Sequence, residues 1–116
     1  MAESRHLGIQ IARPADEVYA YLADASHLPE WAAGVGSAVG VRFVPLNEHL
    51  VLDHDVTLPD GTVTTNPMRV LRDGDGCEVV FTVRRAAGMS DPELEADVAA
   101  VRADLESLRR LLERPA

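Results

Sequence analysis

The sequence predicts an α+β domain in which an antiparallel sheet wraps on a long C-terminal helix, with two short helices after the first strand. Three observations carry this. Asp91 to Glu113 repeats its apolar residues at helical spacing. The chain before it alternates apolar and polar residues with the period of strands, and three turn sequences each set the apolar residues of neighbouring strands on one common face. A helix with a single apolar stripe must bury that stripe, and a sheet is the surface the rest of the chain offers.

Taken in order, Arg5 to Ala12 places Leu7, Ile9 and Ile11 on one face and His6, Gly8 and Gln10 on the other, as in a half-buried strand. Pro14 then opens a helix, with Asp16 and Glu17 in its first turn and Val18, Tyr21 and Leu22 on one face. Asp24 to His27 interrupts the pattern before a short second helical turn ending near Trp31. Ala33 to Ser37, rich in glycine and alanine, reads as loose. Gly34 and Gly36 lead into a strand, so they do not make a phosphate-cradling loop.

The turns fix which side chains face one another. With Pro59, Asp60 and Gly61 as a type I turn and glycine bulge, Leu58 pairs with Thr62. Counting back sets Val56 opposite Thr64, His54 opposite Asn66, Leu52 opposite Met68 and Leu50 opposite Val70. With Asp73 to Gly76 as a four-residue loop, Arg72 pairs with Cys77, so Val70, Met68 and Asn66 face Val79, Phe81 and Val83. With Pro45 to Glu48 as a loop, Val44 pairs with His49, placing Phe43, Val41 and Val39 beside Leu50, Leu52 and His54. A slip of one residue in any strand turns its apolar set to solvent, so the register is strongly specified. Pro67 cannot donate to a ladder and predicts a bulge or gap beside Asn66, past which positions could shift by one.

The closing helix carries Leu94, Val98, Val101, Leu105, Leu108 and Leu112 on one side. Ser90 or Asp91 can cap it and Pro92 suits its first turn. Glu93 and Glu95 at the start, with Arg109, Arg110 and Arg114 at the end, complement the macrodipole. At about 1.5 Å per residue it spans about 33 Å, enough to cross a small domain.

Composition bounds the rest. A chain of 116 residues with 47% apolar content is expected to form one domain over residues 1–116. The single Cys77 excludes an internal disulfide framework, and no apolar run resembles a signal peptide or membrane span, so a cytoplasmic protein is expected. A formal net charge of −8 opposes both nucleic acid and an anionic membrane face; neither partner is expected.

The stretch RPADEVYAYLADASHLPEW, Arg13 to Trp31, with ADLESLRRLLE, Ala103 to Glu113, resembles the START-like SRPBCC superfamily, and within it proteins labelled polyketide cyclase/dehydrase. LDHDVTLPDG, Leu52 to Gly61, and NPMRV, Asn66 to Val70, are similar to a bacterial subgroup of that superfamily. The resemblance covers nearly the whole chain. It implies the helix-grip fold, with a cavity between sheet and C-terminal helix and an aromatic, here Trp31, at its mouth. Activity does not follow, because this scaffold hosts cyclases, lipid carriers, hormone receptors and chaperone cofactors. Between Gly34 and Val41 the chain lacks about one hairpin that relatives use to wall the cavity. Either the pocket is smaller and more open, or a second subunit covers it; a homodimer that shields an exposed sheet edge is the expectation.

His54 is the candidate catalytic residue, since the register turns this ionisable group inward between Leu52 and Val56 with Asn66 opposite. A buried neutral imidazole can bond a ligand carbonyl or hydroxyl or move a proton, with Asn66 fixing its tautomer; alternatively the two satisfy each other in the core. The ligand-binding set is Trp31, Phe43, Leu52, His54, Asn66, Met68, Phe81 and Val101. For Trp31, Phe43, Met68 and Phe81 plain packing is the competing role. Asp53 and Asp55 flank His54, but strand alternation sends them to the other face, where Asp53 lies diagonal to Arg69. Asp97 and Asp104 border the helix stripe and are expected either at the rim of the sheet or paired with Arg84 or Arg85.

No metal or other cofactor is implied: His49 and His54 have opposite parity, and His6 and His27 lie in other elements without ligand spacing. Cys77 and the serines lack any nucleophile motif. Three functions remain. One is binding of a small, largely apolar or aromatic molecule between sheet and helix. The second is a cyclase or dehydratase using His54, and the third is a partner-binding module with a filled core. The space between helix and sheet separates the first two from the last.

Overall fold

The computed structural model describes residues 1–33 and 38–115. Strand β1 (Ser4–Ile11) leads into helix α1 (Ala15–Leu22), a 3-10 turn at Ala25–His27 and the short helix α2 (Leu28–Trp31). Strands β2 (Gly40–Phe43), β3 (His54–Thr57), β4 (Val63–Asn66), β5 (Met68–Asp73) and β6 (Gly76–Arg84) follow, and helix α3 (Asp91–Leu112) closes the chain. The loose stretch expected at Ala33 to Ser37 and the shortened hairpin before Val41 both involve residues 34–37, outside the described residues.

The strands form two antiparallel three-stranded sheets, in the orders β1-β6-β5 and β2-β3-β4. A seam joins them. Leu52 N–H donates to the Met68 carbonyl at 2.7 Å and Val70 N–H to the Leu50 carbonyl at 3.0 Å, with a bridge between Val51 and Arg69. Helix α1 packs on β5 and β6, while α3 lies across β1 and β6.

Two of the three turns set the expected register. Leu58 and Thr62 close the β3–β4 turn with Gly61 at φ 87°, and His54 stands opposite Asn66 and Val56 opposite Thr64. Arg72 pairs with Cys77, Val70 with Val79 and Met68 with Phe81. The loop there is tighter than expected, because Asp73 and Gly76 themselves pair and Gly74, at φ 56°, makes a two-residue turn. The expected contact of Asn66 with Val83 as a paired neighbour is absent, since pairing with β6 begins where Thr82 N–H meets the Pro67 carbonyl. Pro67 leaves a gap, as its missing N–H requires, yet the register does not shift: the Val51–Arg69 bridge continues the His54–Asn66 count. Asp53 Oδ1 accepts from Met68 N–H at 2.9 Å and so ties the two strands just past the proline.

The third turn corrects the sequence reading. Val44 does not pair with His49; its N–H reaches the Asp53 carbonyl, and Phe43 stands opposite His54 and Val41 opposite Val56. The displacement is four residues, an even number, so Phe43 and Val41 keep their face. Asn47 explains the longer loop. Its Oδ1 accepts from His49 and Val51 N–H at 3.1 and 3.0 Å, its Nδ2 donates to the Pro45 and Val51 carbonyls, and its own N–H donates to the Tyr19 hydroxyl. These bonds offer the backbone an alternative to the ladder. Leu50, at φ 57°, then turns into the core.

Helix α3 begins with a capping box: Ser90 Oγ accepts from Glu93 N–H and Glu93 Oε1 from Ser90 N–H. Leu94, Val98, Leu105 and Leu108 are buried; Val101 and Leu112 are only partly so. Its far end is clasped to the start of the chain, as Glu113 accepts from Ala12 N–H and Arg13 donates to the Leu112 and Arg114 carbonyls. No helix among the described residues is long and apolar enough to cross a membrane.

Candidate functional site

Strand parity turns His54 inward and its neighbours out. The imidazole is 5% exposed, whereas Asp55 accepts from the Thr65 hydroxyl and Asp53 lies 4.0 Å from Arg69 on the opposite face. The ring sits against Phe43, with centroids 4.8 Å apart, and meets Phe81 edge-on at 5.9 Å. Burial pushes its pKa below the ordinary histidine value, opposed more weakly by the Leu52 carbonyl and the charges of Asp53 and Asp55. The neutral form therefore prevails at neutral pH.

Its tautomer is set by Leu52 and not, as the sequence suggested, by Asn66. Nδ1 stands 2.9 Å from the Leu52 carbonyl oxygen, which can only accept, so the proton is placed on Nδ1. Nε2 is left as an acceptor. Asn66 Nδ2 approaches it at 3.5 Å, the long limit for such a bond.

His54 borders a cavity of about 250 Å³ between α3 and the sheet. Trp31 and Leu28 of α2 close one end; Val56, Phe81 and Val83 supply the apolar floor. Thr64, Thr65 and Asn66 of β4 form one wall, and α3 contributes Asp97, Ala100, Val101 and Asp104 opposite. Side chains do not fill the space there.

Of the residues expected to bind a ligand, Trp31, His54, Asn66, Phe81 and Val101 meet at this cavity. Phe43, Leu52 and Met68 do not. Leu52 and Met68 are 2% and 0% exposed where the seam between the sheets closes over them, and Phe43 stacks on His54. Sharing a face is a local property, but bordering empty space depends on how far α3 stands off.

Arg85 is committed elsewhere, to Glu3 at 2.9 Å and Asp91 at 2.7 Å, while Arg84 borders the cavity. Asp97 stands at the rim, and Asp104 accepts from Ala33 N–H at 3.3 Å. Sequence reasoning missed Thr64 and Ala100 as lining residues, though signals existed: Thr64 was already opposite Val56, and Asp97, Ala100, Val101 and Asp104 repeat at one helical face. Among the described residues, no group of three or more His, Cys, Asp or Glu side chains could hold a metal ion.

No family model matches the chain, nor does any curated protein. Solved structures do. CalU16 from Micromonospora echinospora superposes with a TM-score of 0.73 at 16% identity, over 99% of this chain and 78% of that one. The di-domain ARO/CYC BexL from the BE-7585A biosynthetic pathway gives 0.64 at 18% identity, over 96% of this chain, which spans only 46% of BexL. Truncated norcoclaurine synthase from Thalictrum flavum gives 0.64 at 15% identity, over 100% of this chain and 96% of that one. At such identities the likeness is one of fold.

Proposed function

We propose, from the START-like helix-grip fold that the chain shares with these structures, that it binds a small, largely apolar or aromatic molecule between the sheet and α3. The observation that carries this reading is the cavity of about 250 Å³ with the buried His54 at its wall. An engineered apolar cavity of about 150 Å³ holds benzene, and drug-sized ligands occupy about 300 Å³ or more, so the occupant has one or two rings. Trp31, Phe81 and Val101 are its apolar contacts and His54 with Asn66 its polar ones. Native mass spectrometry of the protein purified from its own host tests this. A small co-purifying adduct that Ala100→Leu abolishes is expected; a bare chain in both would count against it.

Catalysis of the cyclase or dehydratase type is the second reading, favoured by the neutral imidazole and by the fold shared with BexL. With a converted substrate, His54→Ala should abolish turnover and retain binding; a carrier would show only altered affinity. A homodimer through β2 is supported by that strand's place at the end of its sheet, flanked by Val39 and followed by Leu46, 66% and 77% exposed. Light scattering that shows a monomer at high concentration would refute it. The buried Cys77, whose thiol burial pushes up, accords with a reducing, cytoplasmic setting.

A further inference from the structure

Donors line the cavity at Trp31, Thr64, Thr65, Asn66 and Arg84, but the buried His54 offers an acceptor. With its Nδ1 proton held by the Leu52 carbonyl, His54 offers only a lone pair at Nε2, which Asn66 Nδ2 approaches at 3.5 Å. A closer donor would make a shorter, stronger bond there. Flipping the imidazole to donate from Nε2 would leave two acceptors, Nδ1 and the Leu52 oxygen, facing each other at 2.9 Å in a buried site. Asp97 and Asp104 of α3 line the cavity, as does Arg84.

We propose that His54 makes this cavity select by hydrogen-bond polarity, preferring neutral hydroxylated aromatic molecules whose hydroxyl donates to Nε2 over their ether and carboxylate analogues. This rests on the small-molecule reading above and names the class. At Nε2 an ether oxygen brings a lone pair against a lone pair. A carboxylate loses its hydration and meets Asp97 and Asp104 at the entrance. An ammonium group that reached Nε2 would bring its charge beside Phe43 and Phe81, at a desolvation cost that a hydroxyl does not incur. The hydroxyl is the donor that enters uncharged.

The test is calorimetric titration of the full chain with 2-naphthol, 2-methoxynaphthalene and 2-naphthoate at neutral pH, with the imidazole nitrogens followed by NMR. Naphthol should bind about ten-fold more tightly than its methyl ether, the worth of one buried hydrogen bond, and naphthoate more weakly than either. The Nε2 resonance should move with naphthol and stay with the ether, a readout that needs no variant. In His54→Phe the preference for naphthol should fall to about two-fold or less while the ether still binds. Equal affinity for naphthol and ether, or an Nε2 proton in the free protein, overturns the polarity rule and leaves the cavity reading standing. No heat with any of the three overturns the cavity reading itself.

Discussion

Helix α3 closes two halves of the molecule in opposite ways. Over β1 and β6 it presents Leu94, Leu105 and Leu108, 0%, 2% and 0% exposed, against a packed layer that includes Val18, Met68 and Val79. Over the β3–β4 side it presents Asp97, Ala100, Val101 and Asp104 to the cavity. One helix thus carries a sealing stripe and, about a quarter-turn around, a stripe of small and acidic residues that cannot fill space. The difference separates packing from space: the leucine half is dense enough to hold the fold while the other half is left hollow.

The largest effect should fall in the dense half. Leu108→Ala leaves a void among residues with no room to relax and should cost about 3 kcal/mol in urea denaturation. A loss below about 1 kcal/mol would mean this half is loosely packed and the contrast false.

Asn47→Ala probes the boundary, where one side chain organises the loop that leads into the seam. Removing its bonds to Pro45, His49 and Val51 should cost about 2 kcal/mol and speed exchange of the Val51 amide. Unchanged exchange would show that the backbone holds the loop unaided.

In the hollow half the expected effect is one of pH. Burial lowers the folded pKa of His54, so below the unfolded value of about 6.5 the unfolded chain binds a proton that the folded chain refuses. Stability is full above that value. It falls by up to about 1.4 kcal/mol per pH unit as the pH drops toward the folded pKa. Between about pH 7 and about pH 5, wild type should therefore lose more stability than His54→Gln. Equal losses would place His54 in an ordinary, wet environment.

Smallest of all should be the cost of filling the cavity. Ala100→Leu adds apolar volume where there is space and should change stability by less than about 1 kcal/mol, yet abolish ligand binding. A large destabilisation would show that this half is packed and not hollow.

Much of this was legible in the residues. The β3–β4 and β5–β6 registers followed from Pro59-Asp60-Gly61 and from the Asp73 to Gly76 loop, although that loop proved tighter, and the α3 stripe from its spacing. The site was half legible: His54, Asn66, Phe81, Trp31 and Val101 came together, whereas Leu52, Met68 and Phe43 shared the inner face without reaching the cavity. The β2 register was illegible, because Pro45 to Glu48 looks like a simple loop until the Asn47 side chain is seen gathering it beneath the Tyr19 hydroxyl.

The sequence by itself determined parity: which side chains point in and which point out, since alternation along a strand and the pitch of a helix are local and repeat at every residue. Only the tertiary structure decided which inward residues fill the core and which border a hollow, because that depends on the distance between elements far apart in the chain. The seam bonds at Leu50 and Leu52 and the stand-off of Asp97 and Asp104 set that distance, and no short window of sequence contains them.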